Sequence, residues 1–181
     1  MEFKKIQLNG FKSFAEKADF LIEDGLTGIV GPNGCGKSNI VESLRWAMGE
    51  TSAKSMRGSG MEDVIFSGTS NKASKNIAEV TIEVENKDKE GPVQYRDHDQ
   101  IQIKRKIEKD KGSKFYINGK EVRARDVQMF FADLSTGAHS PSMISQGRIG
   151  ALVTAKPTDR RAILEEAAGI SGLHVRRHEA E

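Results

Sequence analysis

The sequence predicts an α/β fold in which a phosphate-binding loop joins a strand to a helix and precedes an antiparallel β meander. Two observations support this prediction. Residues 31–38 read Gly-Pro-Asn-Gly-Cys-Gly-Lys-Ser between an apolar run and an amphipathic stretch. Further along, alternating apolar residues at 77–84 and 101–107 are typical of half-buried strands.

The composition is that of an ordinary globular domain. The chain has 181 residues, of which 30% are charged and 36% hydrophobic. No window approaches about 18 uninterrupted apolar residues, and the first residues lack the apolar core of a secretory signal. The single cysteine, Cys35, has no partner for an internal disulfide. We therefore expect a cytoplasmic protein with no membrane partner.

The first half of the chain reads as strand, strand, loop and helix. Strands are predicted at residues 3–8 and 26–30, and the second runs directly into the glycine-rich loop. Residues 39–48 have helical spacing of their apolar side chains. One face of that helix is formed by Ile40, Leu44, Ala47 and Met48.

The middle of the chain predicts the meander. Arg105 shares the parity of the alternating isoleucines at 101, 103 and 107, and residues 115–117 form a further short strand. Asn118-Gly119 after it is a strong hairpin signal. Pro157 begins a predicted helix, and the polar residues 173–181 are compatible with a further helix that has no end signal.

The charge of the chain is unevenly distributed. Its net charge is only +2, yet residues 104–125 carry nine Lys or Arg against three acidic residues, a local balance of +6. Such a segment indicates either a surface that attracts nucleic acid or a solvated hairpin.

The clearest motif is the phosphate loop, which fits the pattern G-x-x-x-x-G-K-[ST]. Its glycines let successive backbone N–H groups curve around a phosphate, and the helix N-terminus adds a positive dipole. Lys37 is expected to reach the β- and γ-phosphates, and the Ser38 hydroxyl to bind Mg²⁺. A GTPase is disfavoured because no Asn-Lys-x-Asp element is present. The predicted nucleotide ligands are Gly31, Pro32, Asn33, Gly34, Cys35, Gly36, Lys37 and Ser38.

Several further motifs carry a family resemblance. GFKSF at 10–14, the stretch at 52–68 and ISQGRI at 144–149 stand in order around the loop. Together they resemble the N-terminal half of the head of SMC proteins, the chromosome-organising ATPases, in their compact bacterial form. The resemblance implies an ABC-type P-loop ATPase half-head with a mixed sheet and an antiparallel β meander at residues 1–172. Residues 173–181 would then be the root of a coiled coil.

The resemblance also assigns roles to single residues. Gln146 matches the Q-loop residue, which contacts Mg²⁺ and the attacking water, and Arg57 matches the arginine-finger position. Lys12 and Ser13 would approach the nucleotide. The basic segment would contact DNA phosphates through Lys104, Arg105, Lys106, Lys109 and Lys111.

The chain is predicted to hold only half of an ATPase site. Residues 129–133 resemble a Walker B strand, but Leu134 follows where a catalytic glutamate is needed, and the segment favours a helix. Residues 134–137 resemble an incomplete signature motif. The segment alone is therefore expected to bind ATP and Mg²⁺ with negligible turnover. The expected partners are the C-terminal half of the same head, a second SMC head, a kleisin subunit with its accessory protein, and double-stranded DNA read without sequence specificity.

Three alternatives are compatible with the same motifs. One is a nucleotide-gated DNA-binding scaffold in which hydrolysis is not the main output. Another is the SMC-like ATPase of double-strand-break repair, which shares the split head and works with a nuclease. An ABC transporter subunit is disfavoured because the middle strands lack a transporter's usual pattern.

Overall fold

The computed structural model describes residues 1–89, 91–134, 156–157 and 160–161. The described residues include one six-stranded sheet with strand order β2-β1-β3-β4-β5-β6 and the α-helices α1 and α2, so the predicted α/β class is confirmed. Every strand pair described is antiparallel. The elements in chain order are β1 (Glu2–Asn9), β2 (Ala18–Leu21), α1 (Lys37–Ala47), β3 (Ile77–Glu85), β4 (Gln100–Glu108), β5 (Gly112–Ile117), β6 (Lys120–Val122) and α2 (Ala124–Asp133), with short 3₁₀ turns at Lys54–Met56, Met61–Val64 and Val93–Tyr95.

The meander follows from the alternation of apolar residues in β3 and β4. Ile82 lies opposite Ile103, and Val80 lies opposite Arg105. Because side chains alternate between the faces of a strand, this register turns one face of the sheet into the core and leaves the other polar. The core residues of these two strands are Ala78, Val80, Ile82, Val84, Ile101, Ile103 and Ile107.

The β5–β6 hairpin turns at the predicted dipeptide. Asn118 has φ 48° and Gly119 has φ 79°, so both central residues are left-handed. A type I′ turn needs that conformation, and its twist matches that of the flanking strands. The Asn-Gly prediction is therefore confirmed.

Helix α1 packs on the buried face of the sheet. Its bounds agree with the predicted 39–48 to within two residues at the N-terminus and one at the C-terminus. Trp46 and Ala47 are fully buried, and the Trp46 ring lies 5.4 Å from that of Phe11. This contact brings the segment after β1 against the helix that follows the phosphate loop.

Helix α2 settles the nature of residues 129–133. They lie in a helix, as their propensities predicted, and not in a strand. Phe131 stacks on Phe3 with ring centroids 6.4 Å apart, and Phe130 is also in the core. This segment therefore contributes side chains to the hydrophobic core.

Residues 26–30 correct the sequence analysis. They were predicted as a strand, but they form no strand in this structure. Leu26 is 99% exposed and Val30 94% exposed. A strand obtains its hydrogen bonds from a neighbour, and none of the described strands lies beside this segment. The apolar pattern was read correctly, but the local sequence could not reveal that no neighbour is present.

The C-terminal predictions fall mostly outside the described residues. Pro157, Arg160 and Arg161 are helical, and the Arg160 amide donates to the Lys156 carbonyl at 3.0 Å, in agreement with a helix beginning at Pro157. Gln146 and residues 173–181 lie outside the described part. Among the helices that are described, none has the length and apolar character needed to cross a membrane.

Candidate nucleotide-binding site

The phosphate loop ends at the N-terminus of α1. Gly34 and Gly36 have φ 82° and 92°, a left-handed conformation that glycine adopts without a steric penalty. Gly36 occupies the N-cap position and offers no side-chain oxygen to the first amides of the helix. These N–H groups and the positive end of the helix dipole are therefore directed at the space in front of the loop, where an anion would be stabilised.

The Lys37 side chain folds back over this loop. Its Nζ donates to the carbonyl of Gly31 at 2.6 Å and to that of Pro32 at 2.5 Å. The ammonium thus lies at the loop and is held there by two backbone carbonyl oxygens, which carry only a partial negative charge. A phosphate would offer it full negative charge in their place, which makes a stronger hydrogen bond.

Ser13 lies directly against the loop. A Cβ built on Gly36 would overlap the Ser13 hydroxyl, and that hydroxyl accepts a hydrogen bond from Asn39 Nδ2 at 2.9 Å. The sequence-predicted Ser13 is thus brought to the same place as the loop. Packing of Phe11 on Trp46 fixes this approach.

Lys12 is held in an uncommon backbone conformation next to Ser13. Its φ is 47°, and its amide donates to the Val64 carbonyl at 2.7 Å. Its Nζ donates to the Met56 carbonyl at 2.5 Å and pairs with the Glu42 carboxylate. Lys12 therefore bridges α1 and the turn that precedes Arg57.

Arg57 reaches the first turns of α1 from that turn. It has φ 56°, and its Nη2 donates to Asn39 Oδ1 at 3.1 Å and pairs with Glu42. The side chain is 60% exposed. Arg57 is the C-cap of the 3₁₀ turn at Lys54–Met56, which accounts for its left-handed backbone.

Sequence reasoning missed two residues of this site, Asn39 and Glu42. Asn39 joins Ser13 to Arg57, and Glu42 joins Lys12 to Arg57. The signal was helical spacing: Glu42 follows Ser38 by four residues and Asn39 by three, which places it on their face of α1.

Ser38 is suited to a Mg²⁺ site of the usual nucleotide type. It is exposed, in the first turn of α1 beside Lys37. Mg²⁺ keeps several waters and takes few protein ligands when substrate phosphates are present. The described part of the chain contains no cluster of three His, Cys, Asp or Glu that could hold a metal ion by itself.

Arg105 is wrong as a DNA candidate. It is 2% exposed, and its guanidinium lies 4.4 Å from the Trp46 ring and 4.5 Å from the Phe115 ring. It donates to the carbonyls of Trp46 and Glu50 at 2.7 and 2.6 Å. Burial lowers the pKa of Arg105 to about 10. The run of basic residues suggested a surface position for Arg105. Its spacing from the alternating isoleucines of β4, however, places it on their buried face of the strand.

The other four candidates lie on the surface among acidic residues. Lys104 lies over the Tyr116 ring at 5.5 Å, and Lys106 lies 3.9 Å from Glu79. Lys111 pairs with Glu108 at 2.6 Å, and Lys109 is exposed at the end of β4. The strand face is therefore of mixed charge, and the β4–β5 turn is where the candidates are most exposed.

Comparison with known families identifies the protein class. Residues 2–148 match the family model described as RecF/RecN/SMC N terminal domain. This chain belongs to that family. It is similar to the chromosome partition protein Smc of Rhodopseudomonas palustris, with 57% identity over 181 residues, and to that of Cereibacter sphaeroides, with 58%. Both alignments cover 100% of this chain but 16% of the relative, so the chain spans about a sixth of the curated proteins it matches.

Solved structures with the same fold are SMC heads, which have an ABC-type ATPase fold. One, described as an SmcHead bound to the C-winged helix domain of ScpA, has a TM-score of 0.87 at 31% identity and covers 94% of this chain and 52% of that one. Another comes from work on ATP-driven dimerization and DNA stimulated activation of SMC ATPases, with a TM-score of 0.78 at 31% identity. That alignment covers 92% of this chain and 99% of the other. The recognition as an N-terminal SMC head segment is therefore confirmed.

Proposed function

We propose that this chain is the ATP-binding half of an SMC head whose ATPase activity needs the remainder of the protein. The observation that supports this most directly is the left-handed glycine loop at the uncapped N-terminus of α1, with the Lys37 ammonium lying over it. Family membership and the SMC head fold agree with it.

ATP would supply the phosphoryl group that is transferred to water, and Mg²⁺ would neutralise charge on its phosphate oxygens. The backbone N–H groups of the loop, which Pro32 lacks, would bind the phosphates, and Lys37 would exchange its carbonyl partners for phosphate oxygens. The Ser38 hydroxyl holds Mg²⁺, and Lys12 and Ser13 border the nucleotide. Arg57 neutralises charge on the transferring group, and Gln146 orients water and Mg²⁺.

The rest of the site comes from the C-terminal half of the same head. The exposed side chains of Leu26, Ile29 and Val30 support this, because an apolar segment in front of the loop is stabilised when a neighbouring strand covers it. We assign residues 1–172 to this half-head and 173–181 to the root of the coiled-coil arm. The isolated segment then binds nucleotide with negligible turnover.

In the intact protein, ATP binding joins two heads and hydrolysis releases them. One neighbouring structure belongs to work on ATP-driven dimerization of SMC ATPases, and others are Smc heads bound to ScpA. By analogy we propose a second copy of the head, a kleisin subunit and its accessory protein as partners. The curated relatives are chromosome partition proteins, which supports a proposed activity on the chromosome in the cytoplasm.

Double-stranded DNA is the proposed macromolecular substrate. Lys104, Lys106, Lys109 and Lys111 remain its candidate contacts. Contacts to phosphates carry no sequence information and release counterions, so binding is expected to be indifferent to sequence and to weaken steeply with salt.

Equilibrium binding of a fluorescent ATP analogue tests the proposal. The segment should bind it in the presence of Mg²⁺, and Lys37→Ala should weaken binding at least tenfold by the loss of a charge-assisted hydrogen bond. Lys17→Ala, which removes an exposed lysine elsewhere, is the matched control. Equal affinity of the Lys37→Ala variant and the wild type would contradict the assignment of the loop.

A further inference from the structure

Glu42 is a carboxylate that joins two cationic residues near the phosphate loop, Lys12 and Arg57. One oxygen, Oε1, pairs with Arg57, and the other, Oε2, pairs with Lys12. The Glu42 side chain is only 11% exposed, whereas that of Arg57 is 60% exposed. A nearly buried carboxylate therefore fixes the position of a mostly exposed guanidinium.

Two side chains from one turn of α1 hold the Arg57 guanidinium. Asn39 Oδ1 accepts from Arg57 Nη2 at 3.1 Å, and Asn39 and Glu42 are neighbours on the same face of α1. The backbone around Arg57 is fixed as well, since its amide donates to the Lys54 carbonyl at 3.0 Å. A long side chain on an exposed turn would otherwise sample many rotamers, and ordering it has an entropic cost.

We propose that Glu42 is a positioning residue of the ATPase, which holds Arg57 in place beside the nucleotide. This inference rests on the proposed function. Glu42 contacts the cation and not the nucleotide, so it acts through Arg57. Preorganised charge is effective in catalysis because it needs no reorganisation when the reaction occurs. Glu42 should therefore influence turnover much more than it influences ATP binding.

The test uses steady-state ATP hydrolysis by the full-length protein. Glu42→Gln keeps the size of the side chain and removes its charge. We expect kcat to fall roughly tenfold, the size expected for losing one charge-assisted hydrogen bond to a catalytic group. KM for ATP should stay within about twofold, since a loss confined to the transition state lowers kcat alone.

Glu85→Gln is the matched control. Glu85 also joins two cations, Lys87 at 2.7 Å and Lys4 at 3.5 Å, and its side chain is 18% exposed. It pairs with Glu2 in the sheet, at the opposite end of β1 from Lys12. Its variant should keep the wild-type kcat. An equal decrease in both variants would overturn the proposal, because it would reflect general destabilisation.

A double variant separates positioning from a merely structural role. If Glu42 acts through Arg57, then Glu42→Gln should have no further effect on kcat once Arg57→Ala is present. If Glu42→Gln lowers kcat by the same factor with and without Arg57→Ala, the proposal is overturned. A folded Glu42→Gln protein with wild-type kcat would overturn it as well.

Glu42→Gln leaves a single neutral amide oxygen for two cations, so the Lys12 ammonium also loses a charged partner and the stability of the variant can fall. The comparison is therefore repeated in a Lys12→Met background, where no ammonium depends on the carboxylate. A decrease of several-fold in kcat is expected there as well, because Arg57 still loses its carboxylate partner, and a ratio of one would overturn the proposal. Lys37→Ala keeps the two hypotheses distinct: Lys37-dependent turnover with no effect of Glu42→Gln refutes this inference alone, whereas turnover that is absent or independent of Lys37 refutes the proposed function.

Discussion

At the scale of single residues, Gly36 shows how local backbone geometry determines the site. It combines φ 92° with direct contact to Ser13, so two separate constraints act on one residue. An added methyl group would strain the backbone and displace Ser13 or the loop. The glycine is therefore needed for the loop shape and not only for flexibility.

Gly36→Ala should accordingly weaken binding of the fluorescent ATP analogue by more than about tenfold, because the loop amides lose their common direction. Gly60→Ala is the matched control, since a Cβ there meets no atom within 4 Å and its φ of −129° suits any residue. Titration of both variants checks this. Equal affinities would mean that the loop adapts to a side chain at Gly36.

Asp63 illustrates a residue that stabilises the turn after Arg57. Its carboxylate accepts from the amides of Gly60 and Ser59 at 2.9 and 2.7 Å and from the Ser59 hydroxyl. The backbone hydrogen bond from Gly60, followed by those from Ser59, holds the pKa of Asp63 below its ordinary value. Asp63 therefore stabilises the fold above its unfolded pKa of about 3.9, and this contribution is lost as the pH falls through its lower folded value.

Asp63→Asn should therefore make the melting temperature less dependent on pH between about 5 and 3, relative to the wild type. Other carboxylates titrate in the same range, so the expected result is a smaller decrease, not its absence. Thermal melts at both pH values check this. An identical decrease in both proteins would show that the turn does not depend on the charge of Asp63.

At the scale of elements, Arg105 connects α1 to the meander. It projects from β4 between two aromatic rings and donates to the last carbonyls of α1 and its C-terminal extension. A cation at a helix C-terminus also interacts favourably with the helix dipole. The helix that begins at the phosphate loop is therefore anchored to the sheet at its far end.

Arg105→Met should lower the free energy of unfolding by about 2–3 kcal/mol, because the Trp46 and Glu50 carbonyls both lose a charged, buried donor. Lys104→Met, on the opposite face of the same strand, should change it by less than about 0.5 kcal/mol. Urea unfolding of the head checks both. Similar values for the two variants would contradict the anchoring role.

The success of sequence-based prediction varied with the kind of signal. The strands of the meander and the Asn118-Gly119 turn were predictable because alternation and turn chemistry act locally. Helix α1 followed from apolar spacing. The role of Arg105 and the failure of residues 26–30 to form a strand were not predictable, because both depend on neighbours that are distant in the sequence. Helical spacing placed Asn39 and Glu42 on the proposed site's face of α1, but their partners Ser13, Lys12 and Arg57 are distant in the sequence.

At the scale of the whole molecule, the segment before the proposed nucleotide site is apolar and exposed. Leu26, Ile29 and Val30 are the exposed members of that segment. If the C-terminal half of the head supplies a strand there, the backbone amides of residues 26–30 gain partners. Completion of the head should therefore order the chain directly before the phosphate loop.

Hydrogen exchange of residues 26–30 is expected to slow at least tenfold when the C-terminal half is added, because hydrogen-bonded amides exchange only through opening. The β5–β6 hairpin, which is already paired, serves as the internal reference. Unchanged exchange of residues 26–30 in an assembled head would contradict the proposed strand addition.

The central claim is that the chain is one half of a split ATPase site. The most direct test measures steady-state ATP hydrolysis by the segment alone and after addition of the C-terminal half of the same protein, each with wild-type Lys37 and with Lys37→Ala. The account predicts negligible hydrolysis by the segment and Lys37-dependent turnover once the two halves are combined. Lys37-dependent turnover by the segment alone would contradict it, because the chain would then contain a complete catalytic site.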